Sequence, residues 1–368
     1  MGDTSLIEKV ADVSLVAYCV SPGEQFLVSL EISTIRPAKT FVRVKKLNEE
    51  RTPTRYELGI QLSSSTIEKN SFQLQLVQAS TVVKGKAELH HYIIVNTGDA
   101  IHLVSLETLF SASRRKTFKW AHYLTRDTIT SFFAFNVQGS ALQVVYGTTL
   151  GTLVIFEFNI LTESFRKIEE KTNAAADSFA TCEPCLPSGL DPEAIYIPEL
   201  IFASYDNYLY SLEKGIMQKL PLIESALGGD TLVSGAGVVA KQYTTKSLRY
   251  YAVNILNSGC HLFKRGANGN WESVRIFVRN ERQENEEKSP LVNCQVVSRG
   301  RTQVCIITGS EHGKIYFWQY DYRDDTITQT IVLEVAHEVD VVHSLKIANG
   351  KTIYYMVNRD FVGSQNLP

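Results

Sequence analysis

Residues 143–158 read QVVYGTTLGTLVIFEF, and residues 303–320 read QVCIITGSEHGKIYFWQY. Both run as an apolar stretch, a Gly-x-x-x-Gly turn and a second stretch rich in aromatics. The glycines are Gly147 and Gly151 in the first, Gly309 and Gly313 in the second. Short, nearly continuous apolar runs bounded by turn signals predict strands buried on both faces. Glycine supplies the positive φ that a tight turn between them requires.

Weaker copies keep the same phase. Residues 91–106 read HYIIVNTGDAIHLVSL, residues 200–212 LIFASYDNYLYSL and residues 250–263 YYAVNILNSGCHLF. Tyr354 to Val362 reads as a last, truncated copy. The first apolar residues after the turns are Ile101, Leu153, Leu209, Leu262 and Ile315, separated by 52, 56, 53 and 53 residues. Repeated four-stranded units of ~40–50 residues are the signature of β-propeller blades. A single blade cannot bury both its faces, so neighbours stack, and ring closure protects the sheet edges. The paired strands of each copy are expected to be the inner, buried pair of a blade.

Five turns fall between residues 98 and 313, and a sixth near 358. Residues 1–90 leave room for another blade or more, with strand-like runs at Val13 to Leu30 and Tyr56 to Gln78. The expected fold is all-β: a propeller of seven blades, each of four antiparallel strands. It forms one domain over residues 1–368, with the N- and C-terminal strands sharing a blade as a clasp.

Composition agrees. The 368 residues are 44% hydrophobic and 21% charged, enough apolar material for a core and too little charge for a disordered chain. Seventeen Tyr, seventeen Phe and recurrent Val, Ile and Thr favour strands. The net charge of −2 gives no broad basic field, which disfavours nucleic acid as the main ligand. Six cysteines, at 19, 182, 185, 260, 294 and 305, and the lack of any Asn-x-Ser/Thr sequon suit a reducing compartment, cytosol or nucleus. Gly2 is not expected to be myristoylated, because Leu6 stands where the signal needs Ser or Thr. No apolar run approaches the ~18 residues of a membrane span, and no signal-peptide core is present.

Several short motifs carry a family likeness. Trp120-Ala121-His122 leads into Thr128 to Phe135, and Val335-Ala336-His337 leads into Val341 to Leu345. This resembles the Gly-His start of WD40 repeats, where a His precedes the innermost strand. Ser21-Pro22-Gly23-Glu24, followed by Phe26-Leu27-Val28, resembles the turn inside such repeats. The Trp-Asp dipeptide is absent; Phe156-Glu157 and Trp318-Gln319 occupy its place. The usual His–Asp hydrogen-bond network is therefore not carried over. Residues 72–103, FQLQLVQASTVVKGKAELHHYIIVNTGDAIHL, are also similar to a segment of the kaptin family, propellers that serve as scaffold subunits. The resemblance implies a divergent WD40-like propeller whose rigid faces hold other proteins.

Three stretches break the strand rhythm. Residues 169–198 and 279–289 are expected as loop insertions, and Ser111 to Lys119 is locally basic, preceded by a short helix starting at Leu106. Loops on a rigid scaffold carry function disproportionately. Arg114, Arg115, Lys116 and Lys119, with Trp120, form the densest basic spot and are the candidate partner-binding residues. A solvated turn is the plainer reading of so short a charge run. Trp318 is expected in the core.

Catalytic and metal constellations fail on spacing. Cys182 and Cys185 are the only CxxC, without a second pair to complete a zinc site. Pro184 and Pro187 place them in a polar loop rather than at a redox helix start. His337 and His343 are six apart, against the four of a zincin helix. Gly235-Ala236-Gly237 lacks a dinucleotide fingerprint and is expected as a turn. There is no Gly-Lys-Ser/Thr phosphate loop and no Gly-x-Ser-x-Gly elbow. The expected function is a non-enzymatic scaffold or adaptor in a multiprotein complex, with no cofactor, metal or small-molecule substrate. Two alternatives stay open. One is a nucleic-acid-associated subunit using Arg114 to Lys119. The other is an enzyme at the channel mouth, suggested by His102, His261 and His312 at related repeat phases.

Overall fold

A computed structural model describes residues 5–8, 10–35, 38–60, 62, 72–83, 86–111, 121–137, 141–176, 179–185, 199–206, 208–213, 216–221, 233–243, 246–255, 259–265, 271–277, 291–299, 302–337, 340–348 and 351–367. Among them are seven sheets, each of four antiparallel strands, and the fold is a seven-bladed β-propeller. Six sheets are consecutive meanders paired in chain order. Sheet I holds Val13–Val20, Phe26–Ser33, Thr40–Lys46 and Thr54–Glu57. Sheet II holds Gln73–Val83, Lys86–Asn96, Ala100–Ser105 and Ala121–Leu124. Sheet III holds Ile129–Val137, Ala141–Thr148, Leu153–Asn159 and Ser164–Lys171. Sheet IV holds Phe179–Cys185, Glu199–Ser204, Tyr208–Glu213 and Ile216–Pro221. Sheet V holds Val233–Tyr243, Lys246–Ile255, Gly259–Arg265 and Trp271–Phe277. Sheet VI holds Leu291–Arg299, Gln303–Ser310, Lys314–Asp321 and Thr326–Glu334.

Sheet VII breaks chain order. Val342–Ala348, Thr352–Val357 and Phe361–Asn366 are followed, at the outer edge, by Ser5–Glu8. Ile7 lies opposite Val362, so strands from the two ends of the chain share a sheet. The expected truncated copy is a complete hairpin. Its turn uses Asn358 and Arg359 at φ 48° and 61°, the positive pair that a tight hairpin turn demands.

The repeat copies are the second and third strands of their sheets, flanked by a first and a fourth. That is why they are so apolar: every residue of Glu199–Ser204 is buried, as are seven of the eight in Gln303–Ser310. The chain divides into two compact units. In the unit holding sheets I–III, one core forms between sheets I and II from Val28, Leu30, Val42, Leu76, Ile93 and Val95. Leu106 and Leu109 of the short helix Leu106–Ser111 join it. A second core lies between sheets II and III around Ile94, Leu103, Phe132, Val144 and Phe156. In the other unit, sheets V and VI meet through Tyr250, Leu262, Cys294, Ile306 and Trp318. Trp318 is thus a core residue, stacked on Tyr316. Phe156, in the other Trp-Asp position, is buried against the Tyr123 ring at 4.5 Å.

Two loop expectations are corrected. Residues 169–198 contain the end of the strand Ser164–Lys171 and the whole of Phe179–Cys185, so Cys182 and Cys185 sit on strand backbone, paired opposite Phe202 and Glu199. An outer strand has one wet edge, which lets the charged SFRKIEEK sequence serve as a strand despite its weak apolar pattern. Gly235-Ala236-Gly237 is strand rather than turn; the register shifts between Val233 and Gly235, and glycine in a strand commonly marks such a bulge. The segment 279–289 lies outside the described residues.

Candidate interaction surface

The connections from second to third strand, and from each fourth strand to the next first strand, fall at one end of the sheets. In the unit of sheets I–III this end is a hydrogen-bonded frame. Thr34 N–H donates to the Asp12 carbonyl at 2.8 Å, which joins the connection leading into sheet I to the hairpin turn of that sheet. Leu15 N–H donates to the Arg359 carbonyl at 3.1 Å. In sheet II the turn Thr97-Gly98-Asp99 is held from within, with Gly98 N–H on Asn96 Oδ1 at 2.8 Å and Thr97 Oγ1 on Asp99 Oδ1 at 2.8 Å. It is held from outside by Ile129 N–H on the Gly98 carbonyl and by the backbone and hydroxyl of Thr125 on the Asp99 carbonyl. In sheet III, Thr149 N–H donates to the Thr128 carbonyl at 2.9 Å and Ala175 N–H to Gly151 at 3.1 Å.

Four apolar side chains stand out of this frame: Val10 at 42% exposure, Ile35 at 58%, Leu124 at 71% and Leu150 at 63%. Each sits on a turn or strand end that burial does not claim. Singly, exposed apolar residues need no explanation; four of them at one end of the sheets make this end the candidate interaction surface. Asp12, Asp99, Arg126 and Arg359 give it charges of both signs. Burial lowers the pKa of the Arg359 guanidinium from its ordinary value.

The frame is stiffened from below by a side-chain amide. Gln75 Nε2 donates to the Ala134 carbonyl at 2.7 Å and Ala134 N–H donates to Gln75 Oε1 at 2.8 Å. Gln73 Nε2 donates to Thr130 at 3.1 Å. The two contacts advance together along both chains, so the first strands of sheets II and III run parallel. Glutamine replaces the missing backbone ladder between them.

In the other unit, the Ala336-His337 segment crosses the sheet VI hairpin. Gly313 N–H donates to the Asp340 carbonyl at 2.6 Å, and Val335 and Ala336 N–H donate to the Gly313 carbonyl at 2.9 and 3.2 Å. Gly313 has φ 63°, and a Cβ there would lie 2.7 Å from the Ala336 carbonyl oxygen. Gly309 is also closely approached, by a side chain: a Cβ would meet Val342 Cγ1 at 2.8 Å. The Gly-x-x-x-Gly pattern therefore records close approach as well as turn conformation. Asp340 accepts from the His337 backbone at 2.9 Å and from the Asn358 amide, rather than from a histidine ring in a WD40-type network.

The histidines read as candidate catalytic groups belong to three different sheets. His102 is on the third strand of sheet II, 3.3 Å from Thr97 Oγ1 and opposite His122. Burial, then the His122 charge, pushes its pKa down to about 4. His261, buried on the third strand of sheet V, is pushed down to about 4 by burial. His312 is on the sheet VI turn, its N–H donating to Ser310 Oγ at 3.3 Å. Among the described residues no three His, Cys, Asp or Glu side chains gather as metal ligands would. Arg114, Arg115, Lys116, Lys119 and Trp120 lie outside the described residues; the helix Leu106–Ser111 ends just before them.

Sequence reasoning missed two buried ion clusters. In sheet I, fully buried Glu31 meets Arg43 at 2.6 Å and Arg55 at 2.9 Å. Burial raises its carboxyl pKa above the ordinary value, with the two arginines pulling the other way. In the second unit, Arg265 meets Glu199 at 2.7 Å and Glu213 at 3.1 Å, bridging sheets IV and V. The available signal was a charge set within an otherwise apolar strand, as in FLVSLEIS.

No family model matches the chain, and no curated protein does. Solved structures do match over nearly the whole length. Sqt1 from Chaetomium thermophilum, bound to the N-terminus of the ribosomal protein L10, is 10% identical over 99% of this chain and 100% of that one, with a TM-score of 0.58. BBS1N in complex with ARL6DN is 13% identical over 99% and 96%, with a TM-score of 0.54. The RRP9 WD40 repeats are 12% identical over 95% and 92%, with a TM-score of 0.53. The likeness is one of fold: this chain has a WD40-like propeller fold.

Proposed function

We propose that this protein is a non-enzymatic scaffold or adaptor subunit that binds other proteins within a larger complex, and that the loop end of sheets I–III is a docking face. The observation that carries the reading is the exposure of Val10, Ile35, Leu124 and Leu150 on a frame already fixed by backbone hydrogen bonds. A preformed surface loses little freedom on binding, so apolar contacts translate into affinity. Two of the similar propellers, Sqt1 and BBS1N, were solved with protein partners, in keeping with this use of the fold. The basic run Arg114, Arg115, Lys116, Lys119 with Trp120 is proposed as a second contact, toward an acidic protein surface. The cytosol or nucleus is the proposed location, because six cysteines in 368 residues and the lack of any Asn-x-Ser/Thr sequon suit a reducing compartment.

Affinity capture with the whole chain tests the reading. The wild type should retain a stoichiometric protein partner, and Leu124→Glu with Leu150→Glu should lose it while melting as the wild type does. A chain that purifies alone, or a partner indifferent to both substitutions, refutes the docking face. Reversing Arg114, Arg115 and Lys116 to Glu should weaken capture in a salt-dependent way.

A further inference from the structure

The outer edge of sheet VI is unlike the other outer edges. Ser164–Lys171 (SFRKIEEK) carries five charged residues, while Thr54–Glu57 (TRYE) and Trp271–Phe277 (WESVRIF) carry two each. Ile216–Pro221 carries a lysine and ends on proline, and Ala121–Leu124 and Ser5–Glu8 are four residues long. Charge, proline and shortness are the devices by which sheets keep free edges from pairing. Thr326–Glu334 reads TITQTIVLE: nine residues, β-branched at six of them, with no charge before its last position. Ile327 and Val332 are 41% and 45% exposed. Toward the sheet, the strand pairs without interruption from Gln329 opposite Gln319 to Glu334 opposite Lys314, and its one register shift lies at the Ile327 end. On its other side it pairs with no described strand.

We propose that this edge is a self-association site, where a second copy of the chain pairs antiparallel with Thr326–Glu334 and joins two sheets VI into one. A two-fold contact must be complementary to itself, each residue meeting its counterpart in reverse. The run after the bulge meets that condition. A two-fold axis at Ile331 sets Ile331 opposite its own copy, Thr330 opposite Val332 and Gln329 opposite Leu333. The two Glu334 carboxylates then fall at opposite ends, about 20 Å apart at ~3.4 Å per residue, so no like charges oppose. Backbone N–H and C=O groups left over on the edge find partners, and β-branched cross-strand pairs add to them. One strand pair buries less than the ~1,200 Å² of a stable complex, so the dimer is weak and concentration-dependent.

Sedimentation velocity on the whole chain over a concentration series reads this directly. The expected result is a monomer–dimer equilibrium that Val332→Lys weakens at least tenfold. In that variant two lysines face each other diagonally, ~7–8 Å apart on one face. Ile168→Lys, on the already charged edge of sheet III, should leave the equilibrium unchanged. A monomer at every concentration overturns the proposal, as does a dimer indifferent to Val332→Lys or equally sensitive to Ile168→Lys. Hydrogen exchange on the unsubstituted chain is an independent reading. Protection across Thr326–Glu334 should rise with concentration, and concentration-independent exchange there overturns the proposal even if the lysine variant misfolds.

Discussion

At the scale of single residues, glycine and histidine carry the clearest consequences. Gly313 combines φ 63° with a carbonyl where its Cβ would go, whereas Gly23, at φ 77°, has nothing within 4 Å. Placing a side chain in the left-handed region costs about 1–2 kcal/mol by itself. Gly23→Ala should lose about that much, and Gly313→Ala distinctly more, read as urea midpoints of the two variants. Equal losses would mean that the Ala336–His337 crossing yields at no cost. His102 and His261 give a pH dependence whose sign follows from their depression to about 4. The unfolded chain binds their protons below its ordinary histidine pKa of ~6.5, the folded chain only near 4. Their stabilisation is therefore full above ~6.5 and is lost as pH falls toward 4, at no more than about 1.4 kcal/mol per pH unit each. Melting temperature against pH should steepen in that window and flatten in a His102→Gln, His261→Gln double variant.

At the scale of elements, the short strand Ser5–Glu8 is held by more than its pairing with Phe361–Asn366. Arg43 Nη1 donates to the Glu8 carbonyl at 2.5 Å and Lys45 Nζ to the Leu6 carbonyl at 3.1 Å, so sheet I grips the terminal strand by its backbone. The same arginine neutralises buried Glu31. Removing one partner of a buried ion pair leaves the other charge uncompensated, which costs about 3–5 kcal/mol. Arg43→Leu should approach that loss in chemical denaturation. Lys45→Ala, which breaks one hydrogen bond, should cost about 1 kcal/mol. A smaller effect for Arg43→Leu would mean that Arg55 alone satisfies Glu31. The pairing of Ser5–Glu8 with Phe361–Asn366 agrees with the clasp expected from the sequence, but the grip by Arg43 and Lys45 was invisible there. Nothing in a four-residue strand announces which distant side chains will reach its carbonyls.

At the scale of the whole molecule, the expectation of one domain leads to a single cooperative unfolding transition. Calorimetry should show one endotherm whose van't Hoff and calorimetric enthalpies agree; two resolved transitions would mean that the two compact units melt independently. The blade number was legible because each blade repeats the same burial problem. Its central hairpin must be apolar on both faces and must turn on glycine, asparagine or aspartate, so five copies could be counted directly. The first and fourth strands were harder to read. Phe179–Cys185 and Gly235-Ala236-Gly237 looked like loop and turn because an innermost or outermost strand, with one edge unpaired, tolerates proline, glycine and charge.

The sequence by itself determined the repeat, the apolar central hairpins and the glycine turns, because these obey local rules of burial and backbone conformation within about fifteen residues. Only the tertiary structure decided what each turn lies against. It showed that Gly313 is fixed by a carbonyl from a neighbouring connection, that Gln75 reproduces a backbone bridge to Ala134, and that Glu31 is held by two arginines from the third and fourth strands of its sheet. It also brought out the exposed set Val10, Ile35, Leu124 and Leu150, while the basic run near Arg114 lies outside the described residues. Exposure is a property of packing between segments distant in the chain, and an apolar residue at a turn does not state in sequence whether a neighbour will cover it.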